Sequence, residues 1–254
     1  MIIEKATVVS NESITTSSFV LWLEAPKLSR HGYKPGQFAM LKCSNLNDHT
    51  GFSRAFSFHK KDGDRIAFLY SVVGKGTDWL SNKTQGEQIE LYGPLGKGYL
   101  IPTTNSRLLL LGGGIGIAPM PEMASVSLAK GHQVTVIMGA STKTELLPNS
   151  YWPSEVEYLT VTEDGSHGLR GVLTEHLEQA VNWASNIYAC GPEPMFFALA
   201  KTLRGNNRRQ QPEILMEAPM PCGWGLCYSC AIPTKHGMKL CCKDGPSFKL
   251  FEVY

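Results

Sequence analysis

The stretch Leu109-Leu110-Leu111-Gly112-Gly113-Gly114-Ile115-Gly116-Ile117-Ala118-Pro119-Met120 passes from an apolar run into a glycine cluster and then toward a helix-forming segment. A short unbroken apolar run bounded by glycine reads as a strand buried on both faces, Arg107 to Leu111. Met120 to Ala129 reads as the helix that follows it. The same grammar repeats downstream. Val134 to Met138, Tyr158-Leu159-Thr160-Val161 and Asn186-Ile187-Tyr188-Ala189-Cys190 read as further strands, with helical candidates at Val172 to Ala180 and Pro194 to Leu203. Strand–helix alternation predicts a parallel sheet with helices on both faces, so residues 102–210 are expected to form an α/β domain.

Upstream the pattern is different. Ala6-Thr7-Val8-Val9, Phe19-Val20-Leu21-Trp22-Leu23, Phe38-Ala39-Met40-Leu41, Arg54-Ala55-Phe56-Ser57-Phe58 and Ile66-Ala67-Phe68-Leu69-Tyr70 are short apolar runs separated by Pro, Gly, Asn and Asp. Lys34-Pro35-Gly36-Gln37 and Lys61-Asp62-Gly63-Asp64 are the clearest turns. Regular short strands with such turns predict an antiparallel β-barrel or sandwich over residues 1–101. Residues 211–254 form a third segment, short, punctuated by glycine and rich in cysteine. There is no internal repeat or low-complexity tract.

The chain of 254 residues, 43% hydrophobic and 18% charged, is long enough to bury a core without a structural metal. Its formal charge of +2 comes without long single-sign runs, and Arg208-Arg209 reads as a solvated turn, so no nucleic-acid partner is expected. Met1-Ile2-Ile3-Glu4-Lys5 lacks the pattern of a signal peptide. The run Leu108 to Leu111 falls far short of the ~20 residues of a membrane span. A cytoplasmic protein with no membrane partner is the expectation.

Five of the seven cysteines lie in the third segment. Cys222-Gly223-Trp224-Gly225-Leu226-Cys227-Tyr228-Ser229-Cys230 is a C-x4-C-x2-C run, the ligand spacing of plant-type [2Fe-2S] ferredoxins. Gly223, Gly225 and Ser229 are small enough to let backbone N–H groups approach the sulfurs of an anionic cluster. The alternatives are a structural zinc site, which more often shows paired C-x2-C units, or unligated buried thiols. The fourth ligand is Cys241 or Cys242. On extended backbone these neighbours face opposite ways, so that one ligates while the other packs.

The glycine cluster at 112–116 would bring backbone close to a phosphate at a strand end. Tyr188-Ala189-Cys190-Gly191-Pro192-Glu193-Pro194-Met195 is a second turn of that kind, and two such turns mark the ligand crevice of an open α/β sheet. After the second strand, Gly139-Ala140-Ser141-Thr142-Lys143 contains neither the acid expected beside a ribose 2′-hydroxyl nor an arginine for a 2′-phosphate.

Arg54-Ala55-Phe56-Ser57, Gly74-Lys75-Gly76-Thr77 and Gly93-Pro94-Leu95-Gly96 resemble, in order, the flavin-domain motifs of the ferredoxin–NADP⁺ reductase superfamily. The glycine cluster and Cys190-Gly191-Pro192 continue the likeness. With the cysteine tail ending Cys242-Lys243-Asp244-Gly245-Pro246, the chain most resembles the electron-transfer subunits of NAD-dependent dihydroorotate dehydrogenase, the PyrK family. It departs from the family's usual residues at Ala55, Pro221 and Trp224.

The resemblance implies FAD in the barrel, NADH on the α/β domain and a [2Fe-2S] cluster on the tail. It implies that Arg54 pairs with the flavin pyrophosphate, and a guanidinium fork suits that role. Ala55, Phe56 and Ser57 would then lie along the flavin, Leu69-Tyr70-Ser71 would border it, and Gly76 and Thr77 would contact phosphate. Gly112, Gly113, Gly114, Ile115 and Gly116, with Gly191 and Pro192, would hold the nucleotide, and Cys190 and Glu193 would line the nicotinamide pocket. The cluster ligands would be Cys222, Cys227, Cys230 and Cys242, with Cys241 in an apolar position.

The expected function is electron transfer between NADH, FAD and the cluster, to or from an FMN-containing dihydroorotate dehydrogenase catalytic subunit in pyrimidine biosynthesis, with no general acid or base assigned in this chain. A reductase subunit serving a hydrogenase, a transhydrogenase-like complex or an oxygenase is the alternative. A zinc-stabilised nucleotide-binding module is a third, which its lack of colour would reveal.

Overall fold

The computed structural model describes residues 1–44, 53–205 and 211–254, and Arg208-Arg209 lies outside them. Seven strands form the first sheet: β1 (Ile2–Ser13), β2 (Ser18–Glu24), β3 (Phe38–Lys42), β4 (Ser53–Ser57), β5 (Lys60–Asp62), β6 (Arg65–Ser71) and β7 (Gln88–Leu95). They pair antiparallel in the order β4-β3-β7-β1-β2-β6-β5, a half-barrel whose edge strands are consecutive in sequence. Helices α1 (Pro26–His31) and α2 (Lys75–Ser81) lie in its connections. The Glu4 carboxylate accepts the Lys27 and Leu28 N–H groups at 3.1 and 3.0 Å, satisfying two donors that the first turn of α1 leaves open.

The second sheet is built from β8 (Arg107–Gly113), β9 (Gln133–Ala140), β10 (Glu157–Thr162), β11 (Leu169–Arg170), β12 (Asn186–Cys190) and β13 (Glu213–Leu215). The tail then forms a hairpin, β14 (Ala231–Thr234) and β15 (Gly237–Leu240), followed by β16 (Ser247–Lys249). The sheet order is β11-β10-β9-β8-β12-β13-β16, parallel throughout except that β16 runs antiparallel to β13. Helices α3 (Met120–Ala129), α4 (Leu177–Trp183), α5 (Glu193–Gly205) and α6 (Leu250–Val253) accompany it. Sequence runs β8-β9-β10 to one side and crosses back to β12-β13 on the other. The switch point between β8 and β12 is where an open α/β sheet leaves a crevice.

Two departures from the sequence reading have physical causes. The helix expected over Val172 to Ala180 begins later, as a 3-10 turn at Leu173–His176 followed by α4, because Val172 is extended and its N–H is taken by the Glu175 carboxylate at 3.1 Å. β13 and β16 belong to the third segment by sequence but complete the nucleotide-side sheet, with Ile214 fully buried beside Leu250. Strands of three residues are too short to carry a periodicity.

Alternation along the strands explains how the parts are joined. Ile66, Phe68 and Tyr70 of β6 enter the half-barrel core, while Ala67 and Leu69 point the other way into a core shared with Leu108, Leu110 and Met120. In β3, Ala39 and Leu41 face the half-barrel core, and Phe38 and Met40 pack on Cys230, Leu240 and Cys241 of the tail. The leucine run divides likewise, Leu108 and Leu110 to one face of the sheet and Leu109 and Leu111 to the other. Each shared strand therefore belongs to two cores.

His59 seals the seam between the half-barrel and the nucleotide-side domain. It is fully buried with Nδ1 2.7 Å from the Ala118 carbonyl, just after the glycine turn. Burial pushes the imidazole down to about 4, so it is neutral at pH 7 with the proton on Nδ1, where it donates to Ala118. Among the described residues no helix is long and apolar enough to cross a membrane.

Candidate functional site

A cleft of about 560 Å³ lies across the carboxyl ends of the second sheet. At its centre the glycine turn after β8 meets the turn after β12. A Cβ on Gly116 would collide with the Cys190 carbonyl and the Gly191 nitrogen, so glycine is what lets the two turns touch. Gly114 has φ 53° and open space around its Cβ position, leaving bare backbone facing the cleft. Gly113 through Gly116, Gly191 and Pro192 line it, a surface of backbone suited to a pyrophosphate. Gly112 does not line it; its Cβ position is filled by Ile117, so it serves the packing of the turn. Gly116→Ala is expected to force the turns apart, with an overpacking cost of about 1–3 kcal/mol. It should lower the melting temperature and weaken NADH binding together, as measured by thermal denaturation and nucleotide titration.

A second groove, of about 660 Å³, runs along the half-barrel. Arg54 through Ser57 on β4, Leu69 through Ser71 at the end of β6, and the Gly74–Thr77 turn all line it. A Cβ on Gly76 would sit 3.3 Å from Arg54 Nε, so this glycine lets the guanidinium lie against the turn. The Thr77 hydroxyl is engaged locally, accepting from the Val73 and Gly74 N–H groups at 2.9 and 3.2 Å and donating to the Gly74 carbonyl at 3.0 Å. Backbone N–H groups of the turn are therefore better placed than that hydroxyl to meet phosphate. The opposite wall is the segment Met216 to Pro221, which leads directly into Cys222.

The two clefts meet. Ile115 and Glu217 line both, and the boundary falls between Cys190, which faces the half-barrel groove, and Gly191, which faces the nucleotide cleft. Burial raises the Cys190 thiol, and partial desolvation by its neighbours raises the Glu217 carboxyl, whose side chain is nonetheless exposed at the mouth of the cleft. Glu193 is turned elsewhere: it lines neither cleft, and its Oε1 receives the Tyr254 hydroxyl at 3.4 Å. The sequence reading did not single out the Met216–Pro221 wall, Glu217, or Glu145 and Glu163 at the far end of the nucleotide cleft. No spacing rule marks them, because they reach the clefts from different strand ends.

The cysteine loop is held against the half-barrel. Tyr92 on β7 donates its hydroxyl to the Cys222 carbonyl at 3.1 Å, and a Cβ on Gly223 would press on Met40 and Leu95. Gly223 (φ 67°), Gly225 (φ 79°) and Tyr228 (φ 59°) are all left-handed, which coils the loop and turns N–H groups inward. The Trp224 N–H points at Cys222 Sγ (3.4 Å) and the Gly225 N–H at Cys242 Sγ (3.1 Å), while Cys230 Sγ and Cys242 Sγ lie 3.3 Å apart. Desolvation opposes a thiolate at Cys222, but N–H groups of Trp224, Cys227 and Leu226 and the Cys227 side chain outweigh it and bring the thiol down to about 6. Burial, then the neighbouring Cys230 sulfur, hold Cys242 up at about 12. Cys241 points away: its thiol donates to the Met216 carbonyl at 2.9 Å, and burial holds it near 12.

A loop that offers four thiols and aims amides at their sulfurs has the donor chemistry of an iron–sulfur cluster site. Among the described residues no three His, Cys, Asp or Glu side chains converge as they would around a single ion. A two-iron cluster instead takes its thiolates as two pairs, and Cys230 with Cys242 makes one such pair.

A half-barrel groove with an arginine, a glycine-lined dinucleotide cleft opening into it, and a cysteine loop beside both define a flavin- and iron–sulfur-dependent NAD(P)H oxidoreductase. Residues 217–254 match the family described as the iron-sulfur cluster binding domain of dihydroorotate dehydrogenase B, and residues 110–201 match the oxidoreductase NAD-binding domain. The chain is 31% identical to the dihydroorotate dehydrogenase B (NAD(+)) electron transfer subunit of Desulforamulus reducens, over 98% of this chain and 97% of that one. It is 34% identical to the subunit of the same name from Geobacillus thermodenitrificans, over 98% of each chain. The chain belongs to the family of dihydroorotate dehydrogenase B electron transfer subunits. Among solved structures, the NADH-dependent reduced ferredoxin-NADP oxidoreductase superposes with a TM-score of 0.86 at 26% identity, covering 99% of this chain and 90% of that one. A Neisseria gonorrhoeae ferredoxin NADP+ reductase with bound FAD and NADP shares the fold alone, with a TM-score of 0.69 at 20% identity over 84% of this chain and 98% of that one.

Proposed function

We propose that the chain moves electrons between NADH, FAD and a [2Fe-2S] cluster, and exchanges them with an FMN-containing dihydroorotate dehydrogenase subunit in the cytoplasm. The observation that carries this reading is the order of the three sites. The nucleotide cleft opens into the half-barrel groove at Ile115 and Glu217, and the far wall of that groove, Met216 to Pro221, runs straight into Cys222. Residues 1–101 would carry FAD, 102–210 NAD, and 211–254 the cluster, with β13 and β16 of the last part completing the nucleotide-side sheet.

The chain's own residues position and insulate. Arg54 and the backbone of the Gly76–Thr77 turn hold the flavin pyrophosphate, and Phe56 and Tyr70 give the ring system an apolar bed. Gly113 to Gly116 cradle the nucleotide pyrophosphate, while Gly191 and Pro192 direct the nicotinamide toward the flavin groove. Cys222, Cys227, Cys230 and Cys242 ligate the cluster, and the Trp224 and Gly225 amides stabilise its negative charge. When bound, the flavin takes two electrons from NADH together and releases them singly, which suits a cluster that carries one. Around the loop Trp224, Leu226, Tyr228 and Met238 are exposed, Leu226 by 75%. Exposed apolar side chains beside the last redox centre suit a protein partner.

The test is reconstitution. The purified chain should oxidise NADH with ferricyanide and show no dihydroorotate oxidation by itself. Addition of the FMN-bearing subunit should produce dihydroorotate-dependent NAD⁺ reduction, and Cys227→Ser should abolish that coupling while FAD stays bound and ferricyanide reduction continues. Dihydroorotate turnover by this chain alone would refute the division of labour. Intact NADH oxidation without coupling would instead favour a reductase subunit serving another partner.

A further inference from the structure

The nucleotide cleft spans the ends of six strands, and its charges are unevenly distributed. Its nicotinamide end is fixed by the meeting with the flavin groove at Ile115 and Glu217, beside β12 and β13. The glycine turn of β8 lies in the middle. The adenosine end must therefore lie over β9 and β10, where Ala140, Ser141, Glu145 and Glu163 line the wall.

Local hydrogen bonds bring these acids there. Glu163 follows β10 directly, and its N–H is bonded to the Ala140 carbonyl at 3.1 Å, which ties the ends of β9 and β10 together. Glu145 is folded back from the 3-10 turn at Lys143–Glu145, its Oε2 accepting the Ser141 N–H at 3.3 Å. The residues directly after β9 contain no acid, yet the folded chain supplies one from four residues further on and another from the next strand.

Among the described residues, the side chains lining this cleft include three carboxylates, Glu145, Glu163 and Glu217, and no lysine, arginine or histidine. Lys143 and Arg170 are close in sequence but do not line it. A 2′-phosphate placed at the adenosine end would face two like charges with no cation in the wall. The hydroxyls of an unmodified ribose would instead donate charge-assisted hydrogen bonds to the same carboxylates.

We propose that Glu145 and Glu163 set the nucleotide choice of this chain, binding the adenosine ribose of NADH and repelling the 2′-phosphate of NADPH. The proposal rests on the nucleotide reading of the cleft given above. Each carboxylate contributes through its charge, so glutamine, which keeps the shape and can still accept a hydrogen bond, removes the repulsion while retaining part of the ribose contact.

Calorimetric titration of the full cofactor-loaded chain with ADP-ribose and with 2′-phospho-ADP-ribose tests this independently of turnover. The unmodified chain should prefer ADP-ribose, and the preference should shrink as KCl rises, because exposed charges are screened over about 10 Å at 0.1 M salt. The double variant Glu145→Gln, Glu163→Gln should reduce the preference by about tenfold or more and lose most of its salt dependence. Glu163 is exposed and Glu145 half-buried, and a retained flavin and cluster absorption spectrum will report that the variant is folded. Glu163→Lys should go further and raise affinity for the 2′-phosphate ligand outright. An unchanged preference in the double variant, or equal binding of both ligands by the unmodified chain, overturns the assignment and leaves the electron-transfer reading standing. Failure of the unmodified chain to bind either ligand overturns both.

Discussion

Replacing Cys242 with alanine is expected to strip most of the iron and the cluster's visible absorption from the protein, while replacing Cys241 leaves both in place. The two thiols are adjacent in sequence and opposite in environment. Cys242 Sγ is 3.3 Å from Cys230 Sγ and receives the Gly225 amide, within the coiled loop. Cys241 is fully buried among Phe38, Met40 and Phe248 and gives its proton to the Met216 carbonyl. If Cys242 is the fourth ligand, as proposed, its loss leaves three thiols that cannot complete a four-thiolate site. Loss of Cys241 removes one modest hydrogen bond and a small apolar side chain, a change of about 1 kcal/mol in stability. Iron assay and absorption spectra of the two purified variants decide the matter. Iron retained in Cys242→Ala and lost in Cys241→Ala would reverse the assignment, and equal tolerance of both changes would end it.

Arg54→Ala is expected to release FAD and spare the cluster. A hydrogen bond to a charged partner contributes about 1.5–3 kcal/mol, so the flavin dissociation constant should rise about 10- to 150-fold. The guanidinium lies against Gly76 on the half-barrel, whereas the cysteine loop packs on the other side of β3 through Phe38 and Met40. Flavin content after gel filtration, set against iron per chain, measures the separation. Simultaneous loss of flavin and iron from a protein that still melts cooperatively would show that the two sites are not independent.

Much of this architecture could be read from the chain because its signals are local. The unbroken Leu108–Leu111 run, the glycine turns and the run of helix formers at Met120–Ala129 follow from local composition and backbone sterics alone, and the structure has strand, turns and α3 at those residues. The C-x4-C-x2-C spacing likewise depends only on how a short loop wraps around sulfur. What could not be read depends on contacts between distant residues. Glu145 and Glu163 face one cleft only because β9 and β10 end side by side. Thr77 looks like a phosphate-binding hydroxyl in sequence; it lines the groove, yet its hydroxyl is engaged by its own helix start, which only the folded chain reveals. Glu193 sits two residues beyond the Gly191 turn, yet its carboxylate meets a tyrosine sixty-one positions away.

The last strand of the nucleotide-side sheet is β16, which follows the final cysteines and pairs antiparallel with β13. Its approach is set by the turn between them, where the Met216 N–H bonds to the Pro246 carbonyl at 2.9 Å. The cysteine segment and the nucleotide-side sheet are thereby parts of one continuous packing unit. Without β16, β13 would be the edge of that sheet and would offer an open row of backbone donors and acceptors. The segment that follows the cysteines thus shields the edge of the nucleotide-side sheet, and a chain cut short after the cysteine loop would expose it.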